Sequence, residues 1–93
     1  MSDSEQAKPI DVYEYMGFML QSLSELAWAK LGLQPDMSTG KVEPLDLEQA
    51  KAAIDAADTI AGQLVPKLDD EDRRQVQNLM RDLRVNYMER AKG

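Results

Sequence analysis

Residues 11–32, DVYEYMGFMLQSLSELAWAKLG, form the most apolar run of this chain. They hold its one Trp, its one Phe and two of its three Tyr. Val12, Met16, Met19, Leu20, Leu23, Leu26 and Ala27 fall on one broad face at 3.6 residues per turn, which predicts one long helix. Asp11 stands at the N-cap with Glu14 three residues later, the spacing of a capping box. Gly32 suits the left-handed position that closes a helix. The run predicts the helix on which the other helices pack. Two large residues, Phe18 and Trp28, fall well off its inner face. Tyr13 and Leu31 line one margin of that face and Tyr15 the other. The apolar band is therefore wider than one amphipathic face, and Phe18 and Trp28 call for a separate account, cover by this chain's own helices or by another chain.

The rest of the chain supports an all-α, three-helix domain with helices over about 12–31, 47–64 and 70–90. Helix formers dominate and β-branched residues are sparse. Ninety-three residues make one domain near the lower size limit for a self-sufficient core. A polar N-terminal segment, residues 1–10, reads as disordered, and residues 11–93 as a single helical domain. Residues 33–44, LQPDMSTGKVEP, read as a long loop punctuated by Pro35, Gly40 and Pro44, with a tight turn at Ser-Thr-Gly-Lys. The Gly-Lys pair is not a phosphate loop, because Pro35 stands where that pattern needs its first Gly and no strand precedes it.

Asp46 opens the second helix with Gln49 three residues on. Leu47, Ala50, Ile54, Ala57, Ala61 and Leu64 step by three and four as a seam, half of it Ala, which lets another helix approach closely. Lys51 and Asp55 are spaced to pair across one turn. Pro66 ends the helix near Leu64 or Val65. The acids Asp69, Asp70, Glu71 and Asp72 read as the cap and first turn of the third helix; they lack the alternation and central Gly of a calcium loop. Val76, Leu79, Met80, Leu83 and Tyr87 form its apolar face, and Arg74, Arg81, Arg84 and Lys92 lie along one flank.

Composition removes several classes of function. A net charge of −6 argues against binding nucleic acid or an anionic membrane. With no Cys there is no disulfide frame and no thiolate metal site, and with no His the commonest acid/base group and zinc ligand are missing. The N-terminus has no secretory pattern and no apolar run spans a membrane, which predicts a cytoplasmic protein. We expect no enzyme activity, no cofactor and no metal.

Association is the positive expectation. Large apolar groups left in water mark an interface, and Trp and Tyr are typical anchors. The residues expected at contact surfaces are Tyr15, Phe18, Trp28, Ala50, Ala57, Ala61 and Met88, in a homo-oligomer with a dimer favoured. Three alternatives stand beside this: an acidic helical subunit of a larger hetero-complex, a ligand binder or enzyme using carboxylates and Tyr, and an RNA contact through the Arg flank.

Several of these residues form a pattern. Ser22-Leu23 is followed by Leu31-Gly32, then Pro35 and Thr39-Gly40. Leu47, Ala50-Lys51, Ile54-Asp55, Leu83-Arg84 and Tyr87 complete it. In this order and spacing the chain resembles the bacterial family of domain of unknown function 1844, over about residues 11–87. The resemblance implies a small, cytoplasmic, all-helical protein with no assigned activity and no catalytic or ligand residues to carry over. It places Asp55 and Arg84 at motif positions, where they suit an ion pair between helices two and three. The chain departs from the family's usual Lys-Thr-x-Gly-Asn-Leu run, with QLVPKL at 63–68 and Leu68 alone in common; any binding by that run is put in doubt here.

Overall fold

The structure is a computed structural model and describes residues 8–93. The expected disorder of residues 1–10 falls mainly on residues 1–7, outside the described residues. The described residues contain three α-helices and no strand: α1 (Val12–Lys30), α2 (Leu47–Leu64) and α3 (Asp70–Ala91). A short 3-10 turn, Val65–Lys67, carries Pro66 and joins α2 to α3. None of these helices is long and apolar enough to cross a membrane.

Each α-helix begins at an Asp. The Asp11 carboxylate accepts from the N–H groups of Tyr13 (2.8 Å) and Glu14 (3.2 Å), Asp46 from Gln49 (3.0 Å) and Asp69 from Asp72 (2.8 Å). These bonds satisfy donors that the helix itself leaves without partners. At the far end of α1, Gly32 adopts φ 75°. The Gly32 N–H then donates to the Ala29 carbonyl and the Leu33 N–H to the Trp28 carbonyl, each at 3.0 Å. This is a full Schellman closure, which requires a left-handed residue that Gly supplies without a Cβ clash.

The loop then turns on Asp36. Its carboxylate accepts from Ser38 N–H at 2.7 Å and Thr39 N–H at 3.2 Å, its carbonyl from Gly40 N–H at 2.8 Å, and its N–H donates to the Lys41 carbonyl at 2.9 Å. Those two side-chain bonds, with a smaller contribution from Lys30, lower the Asp36 pKa below its ordinary value. The Asp46 N–H donates to the Lys30 carbonyl at 2.8 Å, pinning the end of the loop to its beginning. So α2 returns antiparallel to α1, and its last residue, Leu64, lies under Gly17.

The expectation that α1 is the central helix is corrected here. The central helix is α2: α1 and α3 both pack on it and scarcely touch one another. Ala50, Ile54, Ala57, Ala61 and Leu64 are all buried, and Leu31, Ile54 and Leu83 are the largest side chains fully out of water. The Ala seam is what makes this possible, because a side chain of one carbon lets neighbours close on both of its flanks. One apolar cluster runs through all three helices. The described molecule is 19 Å across its shortest axis, about two helix layers deep.

A second correction concerns the inner face of α1. Leu20, Ser24, Ala27, Leu31 and, at its loop-facing end, Ala29 are buried, whereas Val12 and Met19, both expected inside, are exposed. Leu31, expected at a margin, is completely covered. The face that meets α2 is thus rotated from the predicted centre, towards Leu20 and Ser24.

Candidate functional site

Rotation of α1 leaves a second apolar stripe on its outer side. Val12, Tyr15 and Met19 follow one another at three- and four-residue steps, the same spacing as an interhelical seam, and Ser22 and Leu26 continue it. Val12 is 66%, Tyr15 52% and Phe18 64% exposed, and Met19 is also exposed, while Ser22 and Leu26 are half-buried. The Tyr15 and Phe18 rings stand 6.1 Å apart between centroids, a tilted aromatic pair on the surface.

The predicted contact residues divide into three groups in the structure. Tyr15 lies on this stripe, with Phe18 beside it. Ala50, Ala57 and Ala61 do not face outwards at all; the chain's own helices occupy the seam, so their assignment to a contact surface is corrected. Trp28 is half-buried and packs against the core. Met88 is exposed but lies elsewhere, beside a cavity of about 260 Å³ lined solely by α2 and α3 residues, among them Ile54, Arg84 and Tyr87.

Trp28 instead forms one wall of a groove between α1 and α3. The groove encloses about 480 Å³, with Leu20, Leu64, Leu68, Val76 and Leu79 among its lining residues. Ser24 also lines it, and its hydroxyl donates to the Leu20 carbonyl at 2.8 Å, so its one donor is already used. Gln21, Glu25, Asp72 and Gln75 complete the lining. A second hollow of about 480 Å³ shares Gly17, Leu64 and Leu68 with the first and extends it past Asp11, Glu14, Tyr13 and Lys67. The Lys67 ammonium sits 5.2 Å over the Tyr13 ring, a cation–π contact. Sequence alone did not reveal this groove, because it exists only where α1 and α3 diverge from a common support.

Charged groups elsewhere pair within α2, across the turn into α3, and between α2 and α3. Lys51 and Asp55 pair at 2.8 Å as their spacing predicts. The hydrogen bond from Lys51 lowers the Asp55 pKa, with Arg84 a smaller contributor, and the same bond raises that of Lys51. Arg84 does approach Asp55, at 3.8 Å, but its hydrogen bond is to Asp58, at 2.7 Å. Asp58 was missed because it lies one turn beyond the motif position. Arg73 also reaches back, donating to the Leu68 carbonyl at 3.1 Å across the turn into α3. Among the described residues, no three Asp or Glu side chains gather as a metal site would require.

The described surface thus carries an exposed apolar stripe and a groove, and likeness to known proteins adds no named chemistry. No curated protein and no solved structure matches the chain. A family model does match, over residues 13–89, which takes in the loop, nearly all of the three helices, the Asp55–Arg84 pair and the groove apart from Asp11. The chain therefore belongs to the family described as Domain of unknown function (DUF1844).

Proposed function

We propose that this protein is a non-enzymatic protein–protein interaction module of the bacterial cytoplasm, which self-associates as a dimer through the outer stripe of α1. The observation that carries this reading is Phe18, a large aromatic side chain left 64% exposed beside an exposed Tyr15. Aromatic groups contribute most of the energy of natural interfaces and are costly to leave in water. Val12, Tyr15, Phe18 and Met19 together expose roughly 400 Å² per copy, so two copies bury roughly 800 Å² from these side chains alone. With the flanking Ser22 and Leu26 the pair reaches the ~1,000 Å² at which specific interfaces begin. A chain without His or Cys has little with which to perform catalysis, and this supports a binding role. No cofactor, nucleic acid or membrane enters the proposal.

Light scattering after size exclusion tests it, at low micromolar and at tenfold higher concentration. The expected species is a dimer that Phe18→Glu converts to a monomer with unchanged helical content. A mass of 10.5 kDa at both concentrations refutes self-association.

A further inference from the structure

We infer that the groove between α1 and α3 is a docking site for a cationic amphipathic helix of a partner protein. This surface is separate from the α1 stripe, and the inference stands whether or not the protein forms a dimer. Three properties of the groove define its occupant.

The first is length. Tyr13, Gly17, Gln21, Ser24 and Trp28 follow one another along the side of α1 that borders the groove. From Tyr13 to Trp28 that edge runs about 22 Å, four turns of helix. An opening bounded by two helices and floored by the end of a third is the shape into which a further helix packs. Gly17, in the middle of the edge, has no side chain to obstruct it.

The second is the floor. Leu20, Leu64, Leu68, Val76, Leu79 and Trp28 line it with largely apolar surface, and the Ser24 hydroxyl beside them already donates to a backbone carbonyl. A floor of this kind gains from large apolar side chains presented at successive turns.

The third is charge. Asp11, Glu14, Glu25 and Asp72 border the groove, with Lys67 the one cationic residue among the described lining, and Lys67 is engaged at the Tyr13 ring. Acidic edges on an apolar floor select Lys and Arg on the flanks of the arriving helix and repel acidic ones. A second copy of this chain suits the groove poorly. On its cationic face, the outer side of α3, the exposed apolar residues are Val85 and Met88, less than one turn apart and far short of a four-turn groove.

The single Trp makes the test direct, because Trp28 is a groove residue and its fluorescence reports occupancy. The probe is a synthetic helix of about 16 residues with Leu on one face and Lys on the other. At physiological salt we expect a saturable 1:1 change in Trp28 emission, and no change with a Leu/Glu peptide of the same pattern. Leu79→Glu separates groove docking from simple charge attraction. It adds a negative charge but places it on the apolar floor, so docking weakens at least tenfold, whereas nonspecific attraction of the Lys peptide strengthens. Glu25→Lys with Gln75→Lys leaves the floor intact and weakens the Lys peptide by a similar factor. Phe18→Glu leaves docking unchanged. Circular dichroism confirms that each variant is folded. The inference is overturned by absence of binding, by equal binding of the two peptides, or by Leu79→Glu binding as tightly as the parent. It is also overturned if Trp28 emission shifts on diluting the protein alone, since a second copy then fills the groove.

Discussion

Replacing Ala57 with Leu tests whether the Ala seam of α2 is an internal joint. Ala57 is 0% exposed, at the middle of the one helix on which the other two pack. Leu adds three carbons at a point fully out of water, where its neighbours must move to admit them. Overpacking of a filled core costs about 1–3 kcal/mol. A domain of this length has roughly 5–14 kcal/mol of stability in total, so the loss is a large share. The matched control is Ala56→Leu, one residue along and exposed. Ala and Leu are both strong helix formers, so intrinsic propensity nearly cancels between the two variants. Urea unfolding followed by circular dichroism should show a midpoint lowered by roughly 1 M for Ala57→Leu and little change for Ala56→Leu. All samples are held at one protein concentration, since the proposed dimerisation would add a mass-action term. Equal stabilities for the two variants, within about 0.5 kcal/mol, would refute an internal seam and return Ala57 to an open contact surface.

A double-mutant cycle of Arg84→Ala with Asp58→Ala should give a coupling larger than the same cycle with Asp55→Ala, because the former pair is hydrogen-bonded at 2.7 Å and the latter stands at 3.8 Å. Both couplings stay below about 1 kcal/mol, since all three side chains are near half-exposed; the reverse order contradicts the geometry. The pH dependence of stability has a definite sign. Asp36 and Asp55 have folded pKa values depressed from their ordinary 3.8, so their contribution is present above that value and is lost as pH falls through the lower folded value. Lys51 is raised from 10.5, so its contribution is complete below that pH and is lost as pH rises through the higher folded value. The urea midpoint should be flat as far as these groups are concerned between about pH 5 and 9 and fall below about pH 4. Asp55→Asn should reduce the acid-side slope, and an unchanged slope argues against its part in it.

Helix boundaries, caps and turns were legible in the sequence because their causes are local. An Asp reaches an N–H two or three residues ahead, and Gly32 is closed by carbonyls within the preceding turns. Pro66 stopped α2 where its ring requires, and Lys51 found Asp55 one turn away. The organising role of Asp36 was also within reach, since an Asp after Pro35 and ahead of Ser-Thr-Gly has the chemistry of a side-chain-closed turn. Its bonds connect residues no more than five apart.

Tertiary structure decided which helix is central, which way α1 faces and where a groove opens. The face of α2 was unambiguous in sequence, because a narrow seam runs between charged and polar flanks. On α1 apolar residues extend around most of the axis, so periodicity supplies several directions of similar merit and cannot select one. The choice depends on how closely α2 approaches, which is set by Ala50, Ala57 and Ala61 on the other helix. That approach buries Leu31 and Leu20, leaves Val12, Tyr15, Phe18 and Met19 in water, and turns Trp28 into a groove wall. Local chemistry along the chain thus accounts for three capped helices and for the small residues that allow them to meet. The two surfaces proposed for function arise from the angle and spacing of that meeting, a property of pairs of helices that no single stretch of chain contains.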